Sequence, residues 1–131
     1  MKFTIAIEPG DDRHAFGVAV PDLPGCFSAG DTIEAAMTNA VEAIELVVEA
    51  MIEDGQPLPQ PRPLSAHQQN PDYKGWVWAV VDAPVEKFFG PAAKINITVP
   101  RAILSRIDSY AKERGMTRSG FLIDAARAAM Q

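Results

Sequence analysis

Six residues, Lys94-Ile95-Asn96-Ile97-Thr98-Val99, alternate polar and apolar side chains without a break. In an extended chain successive side chains point to opposite faces. Lys94, Asn96 and Thr98 therefore share one face, and Ile95, Ile97 and Val99 share the other. The polar face carries the chemistry of base reading: lysine donates to guanine O6 and N7, asparagine pairs with adenine, and threonine offers a hydroxyl and a methyl group. Further on, Thr117-Arg118-Ser119 stands at the expected start of a helix. Free backbone N–H groups and one positive charge at that point suit a phosphate.

The elements that must position these groups follow from the same region. Pro100 ends the alternating run, and only helical patterns come after it. Residues 101–114 carry Ile103, Leu104, Ile107, Tyr110 and Ala111 at helical spacing, Gly115 is a stop, and Thr117 caps a second helix over 118–130 with Phe121, Leu122, Ala125 and Ala129 on its apolar side. A single strand cannot satisfy its own backbone groups. It either returns to an earlier sheet or pairs with the same strand of a second molecule. A strand and two helices in so few residues are too small for a core of their own. The expectation is a homodimer through residues 94–131, its two strands antiparallel about a two-fold axis, with a shared core of Ile95, Ile97, Val99, Leu104, Ile107, Phe121 and Leu122. Two such dimers could pair again. The doubled polar face would form a ribbon of the size that enters a DNA major groove.

Charge divides the chain at the same place. The 131 residues carry a net charge of −5. Residues 1–90 hold 5 basic and 14 acidic side chains, net −9, and residues 91–131 hold 7 and 3, net +4. An acidic body joined to a basic module suggests two different partners, although sign alone is also met as a chance clustering of surface charge.

The body reads as a small antiparallel sheet with one long helix. Residues 2–8 place Phe3, Ile5 and Ile7 on one face, and residues 14–20 alternate again through Phe16, Val18 and Val20, with Pro9-Gly10-Asp11-Asp12 between them as a turn. Residues 26–30 have the length of a short third strand. Asp31 is expected as the N-cap of a helix, with Glu34 completing a capping box. An apolar stripe runs from Ile33 to Ile52, and Gly55 and Pro57 end it. Glu42, Glu45, Glu49 and Glu53 lie on the opposite side, either as a solvated outer face or as a surface for a basic partner. Residues 56–74 form a proline-marked loop. The run 76–81, with Trp76 and Trp78 on one face, is expected as a central strand buried on both sides. Residues 83–93 read as a linker in which Phe88 and Phe89 dock on one domain.

Two resemblances enter on these residues. Residues 94–131 resemble the ribbon-helix-helix DNA-binding family, through Lys94-Ile95-Asn96-Ile97-Thr98-Val99-Pro100, then Gly115-Met116-Thr117-Arg118-Ser119 and a final alanine-rich helix. That resemblance implies base reading by Lys94, Asn96 and Thr98 and a phosphate grip by Thr117, Arg118 and Ser119. Residues 1–82 are similar to the HicB antitoxin N-terminal domain, through Pro21-Asp22-Leu23-Pro24-Gly25-Cys26-Phe27-Ser28-Ala29-Gly30-Asp31-Thr32-Ile33-Glu34-Ala35-Ala36 and Asn39-Ala40-Val41-Glu42-Ala43. The implied fold is α+β, a partial ribonuclease-H-like domain followed by the ribbon-helix-helix module. The implied role is that of a type II antitoxin: the first domain masks a HicA-type toxin, a small basic mRNA-cleaving ribonuclease, and the second represses the shared operon on operator DNA. Glu42, Glu45, Glu49, Glu53, Trp76 and Trp78 are then the candidate toxin contacts.

Other functions fit less well. Two-metal phosphoryl chemistry needs several converging carboxylates. Here the first strand has no acid until Glu8, the second has none, and Asp82 closes the last, so no catalytic residue is assigned. One cysteine, Cys26, and two histidines, His14 and His67, are too few for a metal site or a disulfide framework, and no cofactor is expected. Cys26 reads as a structural thiol rather than a nucleophile. No span or signal peptide is legible, so no membrane association and a cytoplasmic location are expected. A ribbon-helix-helix repressor whose body senses a small organic ligand, without a toxin partner, is the competing reading. The neighbouring gene separates the two.

Overall fold

The structure, a computed structural model, describes residues 1–130. Five consecutive residues of β1 (Lys2–Glu8), from Phe3 to Ile7, are buried, so both faces of this strand are covered. β1 pairs antiparallel with β2 (Phe16–Ala19) on one side and with β4 (Val77–Asp82) on the other, and β3 (Phe27–Gly30) adds to β2. The order is β3-β2-β1-β4. The run around Trp76 and Trp78 is therefore an edge strand rather than a central one. Val77 and Val80 stay about half exposed. Its unbroken apolar character reported strand type correctly but not position in the sheet, which depends on where the chain returns.

The helix α1 (Ile33–Glu53) covers one face. Ala36, Ala40, Ile44 and Val48 recur every four residues and are fully buried against Phe3, Ile5, Ile7 and Val18. Alanines at the first two contacts bring the helix close to the sheet, and the approach is tightest at Gly30. A Cβ there would lie 2.3 Å from the Ala36 nitrogen. The N-cap is Thr32, one residue later than expected: its hydroxyl accepts from the Ala35 N–H at 3.0 Å. Glu34 then falls in the first turn, where a negative charge suits the helix dipole. Gly55, at φ 69°, ends the helix, and the Gln56 N–H donates back to Met51.

The opposite face is covered in part by the proline-marked loop. Trp78 stands opposite Ala6 in register, on the side away from the row containing Phe3, Ile5 and Ile7. Two single-turn 3-10 helices, Leu64–Ala66 and Pro71–Tyr73, bring His67 and Tyr73 over it. The loop is pinned by Asp22 in the turn after β2. The Asp22 carboxylate accepts from the Arg62 N–H at 2.8 Å and its Nε at 3.0 Å, and lies 2.9 Å from His67 Nε2. Burial alone would raise this carboxyl, but the Arg62 and His67 hydrogen bonds overcome it and hold Asp22 below the usual carboxylate range.

The linker expected over 83–93 is shorter than that. Ala83 and Val85 are fully buried, and a 3-10 turn, Val85–Phe89, packs on α1, with Lys87 Nζ 2.7 Å from Glu45 Oε2. Residues Met1–Gly90 form the first compact unit and Pro91–Gln131 the second. Two buried apolar residues on either side of Pro84 read as a connection because turn residues dominate the local signal.

In the second unit, α2 (Arg101–Glu113) and α3 (Arg118–Ala129) are joined through Gly115, at φ 65°. The Thr117 hydroxyl caps α3 by accepting from the Gly120 N–H at 3.0 Å, and Tyr110 packs on Phe121 at 5.1 Å between ring centroids. Residues 94–99 form no strand within the single chain. A ladder needs a second strand, and the sheet of the first unit does not supply it. Gln131, the last residue of the expected 94–131 module, lies outside the described residues.

Candidate functional site

The second unit presents its candidate residues openly. Lys94, Asn96 and Thr98 are exposed, and so are the apolar residues between them, Ile95 at 79% and Ile97 at 58%. Val99, Leu104, Ile107, Phe121 and Leu122 are half-buried. Ile103, Arg106, Ile107, Tyr110 and Phe121 line an open depression of about 240 Å³. Ala111 is the only buried residue of α2, and α3 has none. The apolar side chains of this small unit thus stay largely open to solvent in the single chain. Sequence reasoning placed Ile103 and Tyr110 on the apolar side of α2 but left them out of the shared core, and it missed the exposed Ile123 altogether. Helical spacing pointed to the first two. Ile123 follows Leu122 and breaks the stripe, so no period flagged it.

The three residues of the candidate phosphate anchor do different jobs. Thr117 spends its hydroxyl on the helix cap. Ser119 is exposed. Arg118 is engaged within the chain: its Nε and Nη2 each donate to one oxygen of Asp108, both at 2.8 Å. Arg118 holds the Asp108 carboxyl below its usual range, and Asp108 raises the guanidinium in turn. Sequence reasoning missed Asp108. It lies in mid-helix with no charge pattern pointing to it, and only the turn at Gly115 brings Arg118 back to it.

In the first unit the four glutamates of α1 do not act as one set. Glu42, Glu49 and Glu53 are exposed, whereas Glu45 is partly buried under Lys87. Leu46 replaces it in the outward row: at spacings of four, three and four, Glu42, Leu46, Glu49 and Glu53 share one side of the helix. Leu46 is 68% exposed and was missed because it falls outside the buried stripe. Trp76 and Trp78 are brought together by Tyr73, whose ring meets both edge-on at 5.2 and 5.5 Å. Both are half-buried, so the loop has already taken much of the surface they were expected to offer a partner.

The strand acids Glu8 and Asp82 do not converge. Asp82 sits opposite Lys2, and Glu8 opposite Gly17, so these two acids lie at opposite ends of β1. Cys26 is buried, and burial pushes its thiol up. His14 is exposed on the hairpin and bonded to Asp11 at 2.9 Å. Among the described residues no group of three or more His, Cys, Asp or Glu could hold a metal, and no helix is long and apolar enough to cross a membrane.

A four-stranded antiparallel sheet with one long helix, followed by a separate helical pair, defines an α+β protein. Residues 3–126 match the family of HicB-like antitoxins of bacterial toxin-antitoxin systems, and the chain belongs to that family. It is 46% identical over 110 residues to an uncharacterized 14.9 kDa protein in the rep-hol intergenic region of Haemophilus phage HP1, covering 84% of this chain and 81% of that one. Its fold is similar to the crystal structure of the Burkholderia pseudomallei antitoxin HicB, with a TM-score of 0.78, 39% identity and coverage of 100% and 99%. It is also similar to a chain of a HicA3 and HicB3 toxin-antitoxin complex, with a TM-score of 0.56, 31% identity and coverage of 63% of this chain and 98% of that one.

Proposed function

We propose that this chain neutralises a HicA-type, mRNA-cleaving ribonuclease toxin through its acidic first unit and represses its own operon through its basic second unit. The observation that carries the toxin reading is the likeness of the chain to a partner in a HicA3 and HicB3 complex, together with the net charge of −9 over residues 1–90. A small basic toxin is the complement of such a surface. Glu42, Leu46 and Glu49 on the outer side of α1 are the contacts this reading favours.

The DNA reading rests on the second unit. Lys94, Asn96 and Thr98 are exposed in one alternating row, with Ile95 and Ile97 exposed in the other. A second copy laid antiparallel along this stretch would bury the isoleucines in one step and double the polar row, giving a ribbon for the major groove. The ligand-sensing alternative receives no comparable support: α1 fills one face of the sheet, and His67 and Tyr73 cover part of the other.

Copurification with the product of the adjacent gene, followed by a ribonuclease assay with and without this chain, tests the first half. Cleavage that continues at a molar excess of this chain would sink it. A gel shift with the DNA upstream of its own gene tests the second.

A further inference from the structure

The Asp108–Arg118 pair has the geometry of a ligand contact. Both carboxylate oxygens face Nε and Nη2 of one guanidinium at 2.8 Å, the planar two-pronged arrangement by which arginine also takes a phosphate. The pair is exposed on both sides, and exposed pairs add little to stability. The two helices are held together without it by Tyr110 against Phe121, and the α3 N-terminus is capped by Thr117. Arg118 is the first residue of α3, the end of the helix whose N–H groups suit a phosphate.

We propose that Asp108 is an internal substitute for phosphate: it holds Arg118 in a binding-ready rotamer and must be displaced by the DNA backbone before Arg118 can grip it. The inference rests on the DNA reading above and deepens it. A carboxylate in competition with phosphate lowers affinity for every sequence alike. Contact with unrelated DNA, which has only backbone to offer, is weakened to the point of release. A site that also engages Lys94, Asn96 and Thr98 retains the base contacts. Asp108 is thus a positioning residue that sets the threshold between the two kinds of site. It also reduces the net charge that each module sets against the backbone.

The test uses the full chain with Asp108→Asn, which keeps shape and removes charge, and Asp108→Glu, which keeps charge. Binding to the duplex upstream of the gene and to an unrelated duplex is followed by fluorescence anisotropy over several salt concentrations, with thermal melting as a check on folding. Asp108→Asn is expected to bind the unrelated duplex about fivefold more tightly per module, and its plot of log affinity against log salt to steepen by about 0.9 for each phosphate newly neutralised. Asp108→Glu should stay near the parent. An Asp108→Asn protein that binds no tighter, or with an unchanged slope, overturns the proposal and leaves Asp108 as a helix tie. Should Asp108→Asn melt early, the Arg118 Nε–H signal of the parent protein decides by nuclear magnetic resonance: a shift on saturation with duplex supports displacement, and an unmoved signal overturns it. If the parent binds neither duplex, the DNA reading itself falls, and this inference falls with it. If the parent binds and only the salt comparison fails, the DNA reading stands.

Discussion

The His67 imidazole lies stacked on the Trp78 indole, with 6.3 Å between ring centroids and 22° between planes. Its Nε2 is 2.9 Å from the Asp22 carboxylate. One histidine thus ties the proline-marked loop both to the sheet and to the turn after β2. Asp22→Asn should loosen this loop and lower stability by about 1–3 kcal/mol, the range for leaving a buried polar group, here the His67 imidazole, without its partner. Urea denaturation would register the change, and the Trp78 environment should become more polar in fluorescence.

The same carboxylate sets an acid limit. Its folded pKa lies below the unfolded value, so its contribution is fully present above the ordinary carboxylate range of about 4 and is lost as pH falls through the folded value. Asp11, Glu86 and Asp108 are also lowered and contribute in every variant. The difference between parent and Asp22→Asn stability, measured from pH 7 down to pH 3, should therefore shrink toward acid. A difference that stays constant would show that Asp22 acts by packing alone.

Gly30 is a steric requirement. Gly30→Ala places a methyl group 2.3 Å from the Ala36 nitrogen, and a helix backbone cannot yield there without moving α1 off the sheet. A loss of about 1–3 kcal/mol is expected, as for other overpacked sites. Chemical denaturation showing no loss would mean that α1 can slide.

The end of the first unit can be tested by truncation. A fragment of residues 1–82 lacks Ala83 and Val85, both fully buried, and loses Lys87 from Glu45. Removing Val85 alone forfeits about 1.5–3 kcal/mol of burial. A fragment of residues 1–90 should melt cooperatively and bind toxin, while 1–82 should melt markedly lower. Equal melting temperatures would restore the shorter boundary.

In the second unit, Ile97→Asp should convert a dimer into a monomer by sedimentation and abolish the gel shift, because the apolar row and the polar row belong to one stretch. Asn96→Ala should leave the dimer intact and relax base preference by about 1–3 kcal/mol at one position. Loss of DNA binding by Ile97→Asp with the dimer retained would separate the two roles.

Much of this architecture was legible in local patterns. The alternation of Phe3, Ile5 and Ile7 and the four-residue recurrence through Ala36, Ala40, Ile44 and Val48 marked β1 and α1 directly, because each period reports the face an element buries. What those periods do not carry is which strand lies at the edge, and so β4 was misplaced. The long-range pairs were equally silent. Asp22 with His67, Glu45 with Lys87 and Asp108 with Arg118 join residues separated by 45, 42 and 10 positions, and each depends on a turn that brings distant chain together. Of the candidate sites, the alternating row at Lys94, Asn96 and Thr98 was readable because it is local. The engagement of Arg118 and the removal of Glu45 from the acidic face were not.

Under the proposed pairing of two copies, the exposed Ile95 and Ile97 have a consequence for gene dosage. A unit that completes its core only against a second copy forms as the square of the free chain concentration. Halving the free chain, by dilution as the cell grows or by sequestration on another protein, would cut the paired form to about a quarter by the same mass action. A DNA titration with sigmoid rather than hyperbolic onset would be its signature. On that footing the two bare isoleucines make the chain a counter of its own abundance.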